Sequence, residues 1–112
     1  MELIHNPRCS KSRQAKELLE KKGVEFEVRE YLKNELSENE LSEILNKLGK
    51  EPQDILRKGE PVFKEKFKGK DLSNDQWIEA MVEFPKLIER PIVVDGNKAI
   101  IGRPPANVKE LL

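Results

Sequence analysis

Apolar and polar residues change rhythm several times along this chain, and each change marks an element. Leu3 and Ile4 lie within Glu2–His5, which reads as a short strand. From Ser10 to Lys22 the residues are good helix formers with Ala15, Leu18 and Leu19 on one side, and Gly23 supplies a stop. Cys9 therefore falls where strand gives way to helix. Val24, Phe26 and Val28 alternate with Glu25, Glu27 and Arg29, the period of a strand with one buried face. A strand, a helix and a strand of this length predict a βαβ unit with parallel strands.

The middle of the chain is helical in pattern. Ser37-Glu38-Asn39-Glu40 is a capping box, followed by Leu41, Ile44, Leu45 and Leu48 at helical spacing and closed by Gly49. Pro52 to Arg57 fits a short helix, whereas the lysine-rich stretch from Lys58 to Asp71 reads as irregular. Ser73-Asn74-Asp75-Gln76 offers a second capping box. Behind it Trp77, Ile78, Met81, Val82 and Phe84 form an apolar stripe, read as core packing, that must end before Pro85. Ile92, Val93 and Val94 then turn through Asp95-Gly96-Asn97 into Ala99, Ile100 and Ile101, a hairpin signature. A terminal helix after Pro104 and Pro105 is expected to bury Val108, Leu111 and Leu112. The order is β-α-β, several helices, then β-β-α, which predicts an α/β fold with one mixed sheet and helices against it.

Composition narrows the function. A length of 112 residues fits one domain over 1–112, and 21 Lys+Arg balance 21 Asp+Glu. Such a balance gives no support to nucleic-acid binding, so any anion site must come from a few placed residues. No stretch approaches the ~20 apolar residues of a membrane span, and the N-terminus lacks the apolar core of a signal peptide. A cytoplasmic location with no membrane partner is expected. One cysteine and one histidine exclude an internal disulfide, a multi-cysteine zinc site and an HExxH site, so no metal is expected.

The candidate chemistry centres on Cys9. Backbone N–H groups at a helix N-terminus lack intrahelical partners and carry positive potential, which stabilises a thiolate. Arg8 before the cysteine, and Ser10, Lys11, Ser12 and Arg13 after it, add charge and hydroxyl donors nearby. The competing reading makes Cys9 a small buried apolar side chain, but flanks as polar as Asn6, Pro7, Arg8 and Ser10 belong to a surface loop. A C-x5-R phosphatase loop would need arginine where Ala15 stands, and neither phosphate-cradling glycine motif occurs. Arg90 and Arg103 each precede a proline beside a hydrophobic strand. They suit a bidentate grip on a tetrahedral oxyanion, although an ordinary surface ion pair would use the same residues.

His5-Asn6-Pro7-Arg8-Cys9-Ser10-Lys11-Ser12-Arg13 resembles the active-site segment of ArsC-type arsenate reductases, the class coupled to glutathione and glutaredoxin. Leu56-Arg57-Lys58-Gly59-Glu60, then Phe84 to Val94, and Ile101-Gly102-Arg103-Pro104 follow in the family's order and approximate spacing. The resemblance implies a thioredoxin-like fold, a four-stranded sheet with a helical insertion between its βαβ and ββα halves. It also implies a nucleophile at Cys9, oxyanion-binding arginines at Arg57, Arg90 and Arg103, a cis proline at Pro91 holding Arg90 opposite Cys9, and a supporting histidine at His5. Arsenate or a similar oxyanion would be the substrate. No bound cofactor is implied, and glutathione would act as co-substrate with glutaredoxin as partner, because the chain has no second cysteine to resolve an adduct. Two alternatives share the fold: a regulatory module of the Spx type that binds RNA polymerase, and another glutathione-linked thiol oxidoreductase. Ser12 stands where redox-switched regulators carry a second cysteine, which removes an intramolecular disulfide switch.

Overall fold

Strand β1 (Glu2–His5) lies at the centre of a four-stranded sheet in the computed structural model, which describes residues 1–112. It is parallel to β2 (Glu27–Glu30) on one side and antiparallel to β3 (Ile92–Asp95) on the other, and β4 (Lys98–Ile101) closes the order β2-β1-β3-β4. The register pairs Leu3 with Val28 and with Val93. Between β1 and β2 runs helix α1 (Ser10–Lys21), with Ala15 and Leu19 fully buried. These two side chains pack with Leu3, Val93 and Val108 into one apolar cluster, against which Phe26, Ile100 and Leu111 also rest. Each leucine or valine taken fully out of water is worth about 1.5–3 kcal/mol, so the cluster fixes α1 on the sheet. The mouth of α1, and Cys9 with it, is thereby fixed as well.

Two compact units divide the chain. Met1–Asn34 and Arg90–Leu112 form the first, and Glu35–Glu89, the helical insertion, forms the second. In the second unit α2 (Glu38–Leu48) begins at the reciprocal capping box of Ser37 and Glu40, and ends at Gly49 in the left-handed conformation at φ 67°. Helix α4 (Asn74–Glu83) begins at the matching box of Ser73 and Gln76 and buries Trp77, Ile78, Ala80 and Met81. Both helices stand where local side chain to backbone bonds predict them.

Four expectations need correction. The second strand begins at Glu27, later than the alternation suggests, and Val28 is 42% exposed. As the sheet edge, β2 has a strand neighbour on one side only, so the inward face of Val28 lacks full cover. Within the stretch read as irregular, Pro61–Lys66 forms a short helix, α3. Pro61 suits its first turn, and Phe63 and Phe67 reach Trp77 at ring-centroid distances of 6.2 and 5.8 Å. The segment Pro52–Ile55 is 3-10 helix that stops before Leu56 and Arg57. Finally, the C-terminal segment Pro105–Leu111 is also 3-10, with Asn107 bonding back to the carbonyls of Ile101 and Arg103, and Leu112 is 51% exposed. No helix is long and apolar enough to cross a membrane.

Candidate active site

Cys9 is the N-cap residue of α1, extended at φ −93° and ψ 123°, and its side chain makes no capping hydrogen bond to the helix. The open amides nonetheless bear on the sulfur electrostatically. Burial is the largest influence on the thiol and works to raise its pKa, yet the net shift is downward. The amide of Ser12, the guanidinium of Arg90 and the amide of Lys11 pull it down by favouring the anion, and the charge of Arg90 adds to them. Nη1 of Arg103 stands 3.8 Å from Sγ and also donates to the carbonyl of Arg90 at 3.3 Å. No acidic residue occupies the first turn of α1 to oppose the anion. The result is a partly exposed cysteine held toward its thiolate form by amides and by guanidinium groups from the far end of the sequence.

The loop before Cys9 is locked by its own polar groups. Cys9 N–H donates to the carbonyl of Asn6 at 3.0 Å, Arg8 N–H to Oδ1 of Asn6 at 3.0 Å, and Nη1 of Arg13 to the carbonyl of Pro7 at 2.9 Å. His5, at the buried end of β1, lies 2.6 Å from the hydroxyl of Ser12 through Nδ1, and the same hydroxyl accepts from the amide of Asn6 at 3.1 Å. Ser12 is fully buried. Its side chain ties the strand end and the loop together, while its amide serves the sulfur. The His5 pKa is lowered, by burial first and then by the charges of Lys16 and Arg13, against an opposing pull from Glu30. A neutral imidazole can accept the Ser12 proton at Nδ1, leaving Oγ to accept from Asn6.

The sequence reading of this loop is therefore altered in one respect. Its flanking cations and hydroxyls were expected to act on the sulfur directly. The Ser12 hydroxyl is committed to His5 and Asn6, and one end of the Arg13 guanidinium is committed to Pro7. Arg8 and Ser10 are exposed, and neither is among the groups that shift the thiol. The amides do what the side chains were expected to do.

Arg90 is half-buried and joined to the buried Pro91 by a cis peptide bond, and Arg103–Pro104 is also cis, which the sequence reading did not anticipate. Nε of Arg90 is buried without a hydrogen-bond partner. Gly102 passes so close to Pro91 that an added Cβ would stand 2.9 Å from Cγ of the proline. Arg57 belongs to the second unit, where its Nη1 donates to Oε1 of Glu89 at 2.9 Å. No cluster of three or more His, Cys, Asp or Glu side chains gathers in a way that could hold a metal ion.

Comparisons with known proteins identify the family. The pattern of the ArsC family matches residues 4–111. An arsenate reductase of Haemophilus influenzae is 43% identical over 112 residues, covering 98% of this chain and 97% of that protein. The uncharacterized protein YfgD of Escherichia coli is 44% identical, covering 100% and 96%. A solved structure of an arsenate reductase from Vibrio cholerae superimposes with a TM-score of 0.93 at 44% identity, covering 100% of this chain and 98% of that one. The mixed sheet flanked by helices is thus the thioredoxin-like fold of these proteins. A match over nearly the whole length, in sequence and in fold, makes this chain a member of the ArsC family.

Proposed function

We propose that this protein is an arsenate reductase coupled to glutathione and glutaredoxin. The observation that carries the reading is the Cys9 sulfur, lowered in pKa by the Ser12 and Lys11 amides and by Arg90, with Arg103 beside it. A nucleophile surrounded by N–H donors suits attack on a tetrahedral oxyanion, because the same donors then meet the oxygens as charge shifts onto them. The resemblance of Leu56-Arg57-Lys58-Gly59-Glu60 to the family's sequence supports Arg57 as a third oxyanion ligand. Relatives named arsenate reductase at this identity support the substrate class.

In this mechanism Cys9 thiolate forms a sulfur–arsenic bond, and one oxygen of arsenate leaves as water after protonation. External thiols then attack. A glutathione thiolate attacks the Cys9 sulfur and breaks the sulfur–arsenic bond; the bonding electron pair stays on arsenic, which leaves as arsenic(III) in arsenite, and the Cys9 and glutathione sulfurs become one mixed disulfide. Glutaredoxin clears the resulting mixed disulfide by thiol–disulfide exchange. The single cysteine of the chain requires this external supply. A cytoplasmic setting, where thiols are kept reduced, suits such a cycle.

The test is arsenate turnover by the purified protein with glutathione and glutaredoxin, set beside Cys9→Ser. Turnover is expected in the wild type and loss in the variant. Equal rates in the two proteins would remove the assignment.

A further inference from the structure

A guanidinium that grips an oxyanion must be held still, and Arg57 is held by a local device. Leu56 and Ile88 form an isolated antiparallel bridge. On either side of it the Arg57 amide donates to the carbonyl of Leu87 at 2.7 Å and the Glu89 amide to the carbonyl of Ile55 at 2.9 Å. The bridge sets residue 57 beside residue 89, and Nη1 of Arg57 then donates to Oε1 of Glu89 at 2.9 Å. The two side chains are 22% and 27% exposed, so the pair is sheltered from the solvent that weakens ion pairs at an open surface. It spans 32 positions of sequence and depends on the bridge for its geometry. Nε of Arg57 is buried without a hydrogen-bond partner, which leaves Glu89 as the side chain that orients the fork.

We infer that Glu89 is a positioning residue for oxyanion binding: it fixes the Arg57 guanidinium through the Nη1–Oε1 bond and leaves Nη2 for the anion. The inference rests on Arg57 being an oxyanion ligand, as proposed above. Glu89 also stands immediately before Arg90 in the chain. A planar fork gains most from such orientation, because a small rotation spoils both of its parallel bonds at once. The carboxylate offsets part of the charge on Arg57, so its benefit lies in direction and not in attraction.

The experiment is calorimetric titration of the full chain with arsenate, alongside KM and kcat in the coupled assay, for wild type, Arg57→Ala, Glu89→Gln and the double variant. Glu89→Gln keeps the shape but replaces the charged acceptor with a neutral amide, whose single oxygen holds the guanidinium less firmly and whose NH2 cannot accept from it. It is expected to weaken arsenate binding about tenfold and to raise KM more than it lowers kcat. Added to Arg57→Ala it should cause no further loss, and the ultraviolet titration of the Cys9 thiolate should stay where it is in the wild type. If Glu89→Gln binds arsenate like the wild type while Arg57→Ala does not, or if the two losses simply add, the positioning role is overturned and the oxyanion ligand stands. If Arg57→Ala itself binds arsenate normally, the ligand assignment fails and this inference falls with it. Should Glu89→Gln unfold at assay temperature, Glu89→Asp carries the same test with a shortened reach and a smaller expected loss.

Discussion

Arg103 reaches Cys9 across 94 positions of sequence, placing Nη1 at 3.8 Å from the sulfur while holding the carbonyl of Arg90 at 3.3 Å. One nitrogen thus links the sulfur to the backbone of the residue whose guanidinium also donates to it. Arg90→Ala should raise the midpoint of the Cys9 ultraviolet titration, since it removes both a hydrogen bond and a charge from the thiolate. The exposed Lys86, replaced by alanine, should leave it unmoved. Arg90→Lys keeps the charge but loses the fork, and should weaken sulfate or arsenate binding more than Lys86→Ala does. An unchanged midpoint in Arg90→Ala would show that the amides alone hold the anion.

Ser12 separates two roles that share one residue. Ser12→Ala leaves the Asn6 amide and Nδ1 of His5 without their common partner in a buried place, and should destabilise the fold by about 1–3 kcal/mol in urea unfolding. The amide of residue 12 remains, so the thiolate titration should shift little. A variant as stable as the wild type would mean that water replaces the hydroxyl.

Gly102→Ala tests the packing beneath Arg90. The new Cβ would meet Cγ of Pro91 at 2.9 Å and Cγ1 of Val108 at 3.3 Å. Displacing a buried proline ring and the valine behind it should cost about 1–3 kcal/mol. Because Pro91 adjoins Arg90, the Cys9 midpoint should rise as well. Full stability with an unaltered titration would show that the neighbours yield freely.

The pH dependence of stability follows from His5 and Cys9 together. The folded pKa of His5 lies below its ordinary 6.5, so between those two values the unfolded chain binds a proton that the native chain refuses. Stability therefore falls as pH drops through that window. The Cys9 thiol is also lowered, and between its folded and unfolded values the unfolded chain again holds the extra proton. Both groups make stability rise with pH, in separate ranges. Urea unfolding across pH should show the lower limb flatten in His5→Gln and the upper limb flatten in Cys9→Ser. A lower limb that persists in His5→Gln would place the titration elsewhere.

Much of the fold was legible because its signals are local. Two capping boxes place the starts of α2 and α4 through bonds that span three residues, and the Asp95-Gly96-Asn97 turn marks the hairpin. Elements that depend on distant cover were not. Val28 alternates like a buried residue, but a sheet edge decides its exposure. Helix α3 takes its apolar contacts from Trp77 and Phe84, well beyond any local window. In the site, Cys9, Arg90 and Arg103 were legible from helix-mouth chemistry and from arginines placed before prolines. The partnership of His5 with Ser12 was hidden because it closes across the loop. Glu89 was missed too, although a carboxylate directly before Arg90 was a signal open to reading.

A chain with one thiol has nowhere to pass an oxidising equivalent as a disulfide within itself. Whatever Cys9 acquires, whether an adduct or a mixed disulfide, persists until a molecule from outside removes it. In the proposed reaction the tempo of the protein would thereby be tied to the surrounding thiol pool, and a shortage of that pool would leave it loaded and idle.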